Sequence, residues 1–140
     1  MSEALRQEIR TRCDAIEEAY EFMLAYAAQG IIDHRTSSAG AVVCGFLRKA
    51  DAAMDGLADV FRELIHDEQP SAASHYLAFV DVLARDSQTA RTALRLVLAQ
   101  DAISSQLIDN LNASIHVRAF LTDIFLIDEV LNASGAAERQ

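Results

Sequence analysis

The sequence predicts an all-α protein, an antiparallel up-down-up-down four-helix bundle, and three observations carry that prediction. Apolar residues recur at steps of three and four along four long stretches. The composition favours helix, with 25 alanines, five glycines, one proline and no tryptophan in 140 residues. The turn-forming residues gather in a few short clusters between the stretches.

The first stretch places Leu5, Ile9, Cys13, Ile16, Tyr20, Met23 and Ala27 on one face, with Ser2 as N-cap and Gly30 as stop, predicting a helix over about 3–29. The second carries Val43, Leu47, Ala50, Met54, Leu57, Phe61 and Leu64; it starts after Thr36-Ser37-Ser38 and closes before Pro70, predicting 38–65. The third holds Tyr76, Val80, Leu83, Ala90, Leu94 and Val97 in one register if Ser87 fills the skipped step, predicting 72–99. A break at Asp86-Ser87, with Asp86 capping a new helix, is the alternative; the lack of glycine or proline there favours continuity. The fourth stripe is Ile103, Leu107, Leu111, Ile115, Leu121, Ile124, Phe125, Ile127 and Leu131, predicting 102–133 with a stop at Gly135. Helices of about 27 to 32 residues span roughly 40 to 48 Å and bury their stripes only against one another. Connections near 31–37, 65–71 and 100–102 suit antiparallel neighbours in a single domain.

Composition excludes several classes of function. A chain that is 51% hydrophobic is not disordered, and a net charge of −9 argues against general nucleic-acid binding. Cys13 and Cys44 are too few for a disulfide scaffold and fit reduced, buried thiols. The longest apolar run, Ala39 to Leu47, has nine residues, against about 20 for a membrane span. The first residues, Ser2-Glu3-Ala4-Leu5-Arg6, lack a secretory apolar stretch, so the expected location is cytoplasmic.

Metal and catalytic patterns are sparse. Di-iron bundles use Glu-x-x-His on two helices; here Glu17 and Glu21 sit one turn apart with no histidine three residues after either, as on a solvated acidic face. His66, Asp67, Glu68 and His75 could converge around Pro70 as zinc ligands, although a hydrated polar turn explains them more simply. No Gly-x-Ser-x-Gly and no phosphate loop is present. The expectation is therefore no metal, no cofactor and no catalytic residue. A histidine phosphotransfer bundle would need an exposed mid-helix imidazole, for which His116 is the nearest candidate. A small-ligand or ion site could form at the end holding His34, Arg35, Ser37 and Ser38, where free amides at a helix start would meet an anion; capping accounts for the same serines.

The remaining signal is surplus apolar surface. Gly40, Gly45 and Gly56 each weaken a helix by about 1 kcal/mol, which predicts an offsetting close approach. Residues 39–47 and 119–130 carry apolar side chains on more than one face. The favoured reading is a non-enzymatic helical interaction protein, an adaptor, assembly factor or regulatory partner. It would self-associate as a dimer through Gly45, Phe46, Phe120, Ile124 and Ile127.

Overall fold

The computed structural model describes residues 2–32 and 38–138, with side chains described over 2–32 and 40–133. Most of these residues are helical, in six segments: α1 Ser2–Ala27, α2 Ser38–Met54, α3 Leu57–Glu68, α4 Ala73–Leu98, α5 Ser105–Ala113 and α6 His116–Glu138. No strand occurs among them. α1 packs against α2, α3, α5 and α6, and α4 packs against the same four. One core runs between them, filled by Ile16, Met23 and Tyr26 of α1, Leu47 of α2, Phe61 of α3, Leu83 and Leu94 of α4 and Phe120 of α6.

The stripes place most of this core correctly, with local shifts. In α1 the buried face passes from Ile16 through Ala19 and Met23 to Tyr26, so Tyr20 and Ala27 lie half-buried at its edge. α4 is continuous through Asp86 and Ser87, and Ser87 fills its core position as a buried hydroxyl. α6 passes Gly135 and ends at Glu138, beyond the expected stop.

Two of the expected long helices are each divided. The second breaks at Gly56, whose φ of 74° is left-handed and comfortable only for glycine. The carbonyls freed there are met from both sides: Arg12 of α1 donates to Ala53 O and Asp55 O, and Ser87 Oγ of α4 donates to Met54 O at 3.4 Å. The fourth breaks at Ile115, a β-branched residue held at a φ of 64°. Its preceding turn is closed by Ser114 Oγ donating to Leu111 O at 2.6 Å. The helix ahead of it begins at Ser105, because Ser104 accepts from Leu107 N as an N-cap.

Ser105 ties the end of α1 to the start of α5. Its Oγ donates to Tyr26 O at 2.6 Å and accepts from Ile31 N at 2.8 Å, while its own N donates to Ile31 O at 2.7 Å. Tyr26 Oη donates to Ile103 O at 2.6 Å in the same buried corner. The protein therefore has a polar clasp at one end of its core.

Candidate functional site

Three of the five residues expected at an interface belong to the chain's own core. Phe120, Ile124 and Ile127 are buried to within 1% of full enclosure, so they offer no surface to a partner. Ile124 and Ile127 already belong to the inward stripe, which claims them first, and Phe120, beside Leu121, joins the same buried face. Phe46 is half-buried and spends its ring on α1, stacking on Phe22 with centroids 4.6 Å apart; Lys49 Nζ lies 5.6 Å from its centroid. Gly45 is also half-buried, and a Cβ built on it would meet nothing within 4 Å. Within the chain, no close backbone approach accounts for this glycine. Gly56 is explained by its left-handed φ, with equally open space around it.

The surplus apolar surface is real but sits on other side chains. Phe125, Leu126 and Val130 of α6 are 52%, 55% and 37% exposed, and Val42 of α2 and Leu96 of α4 are also exposed. Leu126 and Val130 are one turn apart and Phe125 adjoins them, which places all three on the outer half of α6. Phe125, expected in the inward stripe, is instead exposed; for Leu126 and Val130 the signal was available, since they remain once Leu121, Ile124, Ile127 and Leu131 are assigned inward.

Beside this face, the seam between α6 and α1 is a small acidic cleft. A cavity of about 120 Å³ lies there, with Arg6, Cys13, Asp14, Glu17, Phe125 and Asp128 among its walls. Burial, then the charges of Asp14, Glu21 and Asp128, raises the Glu17 carboxyl above its ordinary range. Burial, reinforced by Asp128, Glu17 and Asp14, pushes the Cys13 thiol up to about 12, so it stays protonated and unreactive. Cys44 is half-buried, and both cysteines are free.

At the mouth of this cleft Arg6 joins three helices. Its Nη2 and Nε donate to the two carboxylate oxygens of Glu68 on α3 at 2.6 and 2.9 Å, and Nη1 donates to Asn132 Oδ1 on α6 at 3.0 Å. This fork is what a guanidinium does and a point charge cannot. The side-chain hydrogen bond to Glu68 raises the Arg6 pKa above its ordinary value.

The other candidates are dispersed. Glu68 is held by Arg6 while His66, Asp67 and His75 are exposed, and no cluster of three or more metal-ligand types occurs among the described residues. His116 is the exposed first residue of α6 instead of a mid-helix position, because of the break at Ile115. His34, Arg35 and Ser37 lie outside the described residues; Ser38 begins α2, but its side chain lies outside them too. At that end an open hollow of about 530 Å³ is lined by Ile31, Ile32, Ser104, Ser105 and Asp109 among others. Its two serines are engaged in capping and in the Tyr26–Ile31 clasp.

No helix among the described residues is long and apolar enough to cross a membrane. No protein-family model, no curated protein and no solved structure matches the chain.

Proposed function

We propose that the chain is a non-enzymatic helical interaction protein, an adaptor, assembly or regulatory factor, that self-associates as a dimer through the outer face of α6. Its architecture in this reading is a four-column antiparallel bundle running up-down-up-down, with α2–α3 and α5–α6 each serving as one broken column. The packing of α1 and of α4 against both broken columns supports that arrangement.

The observation that carries the functional reading is the group Phe125, Leu126 and Val130, three large apolar side chains left in water on one helix. At about 25 cal/mol per Å² of apolar surface, covering such a patch is a substantial driving force, and a second copy of the chain supplies a matching patch by symmetry.

Light scattering on a dilution series tests this directly. The expected mass at high concentration is about twice 15.3 kDa, falling toward the monomer on dilution. Leu126→Glu should shift the equilibrium to monomer with an unchanged circular dichroism spectrum, since the side chain is solvent-exposed in the single chain. A monomer at every concentration would refute the reading.

A further inference from the structure

The outer side of α6 carries a stripe of its own, separate from the one that faces the core. Ile115, Ala119, Thr122, Leu126, Val130 and Ala133 follow one another at steps of three and four, so they lie along one line of the helix, away from the buried Phe120, Ile124, Ile127 and Leu131. All but the half-buried Ala119 are exposed.

The two halves of this stripe have opposite relief. In the first half Ile115, Arg118, Ala119 and Thr122 surround an open hollow of about 290 Å³, where Ala119 is the small side chain among larger neighbours. Asp123 forms the remaining wall and keeps its Oδ2 enclosed within the chain. Thr122 Oγ1 donates to Arg118 O at 2.9 Å, so this hydroxyl stays satisfied when the face is covered. In the second half Leu126 and Val130 stand out into water. In knobs-into-holes packing one side chain enters a hole made by four residues of the facing helix, and 115, 118, 119 and 122 have the spacing of such a hole.

We propose that a second copy of the chain docks antiparallel on this stripe, crossing at Thr122, with Leu126 of each copy seated in the hole of the other. The inference rests on the dimer through α6 proposed above and adds its direction and register. Because hole and knob lie on one stripe, a two-fold axis beside Thr122 fills both holes at once and sets Val130 of each copy against Ile115 of the other. Charge complementarity points the same way. Arg118 and Glu129 are exposed, lie near one flank of the helix, and are absent from the ion pairs of the described residues. An antiparallel two-fold sets like flanks together, which brings Arg118 of one copy within a helical turn of Glu129 of the other, twice per dimer. Exposed pairs of this kind select the register, while the apolar contact supplies the affinity. A parallel pair would instead stack Leu126 on Leu126 and leave both holes empty.

Cysteine cross-linking under mild oxidation reads the register, on chains carrying Cys44→Ser so that the buried Cys13 is the native thiol that remains. Thr122→Cys should form a covalent dimer readily, because its two thiols meet at the axis. Val130→Cys should cross-link at least about tenfold more slowly, since its twin lies about 23 Å away along the helix at 1.5 Å per residue. Equal rates, or a faster reaction at residue 130, in a chain that light scattering shows to be dimeric would overturn this register and leave the α6 dimer standing; a monomer at every concentration would refute both. Ala119→Leu fills the hole from within its own chain and should raise the dimer dissociation constant by about tenfold with an unchanged circular dichroism spectrum, as overpacking of a contact does. An unchanged constant would also overturn the proposal.

Discussion

Arg6 ties α1 to α3 and α6 through a single guanidinium. Its side chain is 11% exposed and that of Glu68 14%, so the pair is shielded more than an ordinary surface ion pair. Three helices meet at its guanidinium, and truncation would leave Glu68 short of both donors and Asn132 short of one. We expect Arg6→Ala to lower stability by about 2 kcal/mol, in line with loss of charge-assisted hydrogen bonds, and Tm by roughly 6–10 °C. Arg6→Lys should recover only part of that, since an ammonium group cannot reproduce the bidentate fork. Calorimetry on the two variants checks the expectation; equal loss would mean that packing of the aliphatic stem, and not the fork, is what matters. Sequence periodicity could not have located this junction. Arg6, Glu68 and Asn132 are each unremarkable polar residues on a helix, and only the crossing of α1, α3 and α6 brings them together.

At the scale of elements, the helical stripes were legible and the interruptions were not. A stripe is a local property, three or four residues apart, and Ile9, Cys13, Ile16 and Met23 are buried as their spacing requires. A break is decided by what surrounds it. At Gly56 the freed carbonyls of residues 53, 54 and 55 find Arg12 and Ser87 on two neighbouring helices, and neither partner is near in sequence. At Ile115 the sequence signal even pointed the wrong way, since β-branched residues avoid a left-handed φ. The glycines, read as sites of close approach, separate into two kinds that give opposite predictions. Gly56→Ala forces a Cβ into a left-handed turn and should destabilise by about 1 kcal/mol. Gly45→Ala adds a methyl where nothing lies within 4 Å inside a helix, and should stabilise by about 0.5–1 kcal/mol. Denaturant midpoints measured side by side would reveal the signs, and a destabilising Gly45→Ala would restore the idea of a close neighbour there.

For the whole molecule, the apolar face of α6 and the net charge of −9 act in opposition. Two copies brought together carry like charge, and the acidic cleft of Asp14, Glu17 and Asp128 lies beside the face that would be covered. Solvated charges repel over a Debye length of about 8 Å at physiological ionic strength and about 3 Å at 1 M, while apolar burial is not screened. Raising salt should therefore tighten self-association, by several-fold in dimerisation constant between low and high ionic strength, with the charge-neutral part of the driving force unchanged. Sedimentation equilibrium at two salt concentrations reads this. The opposite trend would show that ion pairs hold the copies together, and it would move the interface from Phe125, Leu126 and Val130 to the exposed arginines. A partner bearing positive charge would show that opposite trend as well, because its attraction to the acidic cleft weakens as salt rises. The salt slope thus separates a dimer built on α6 from a complex built on charge.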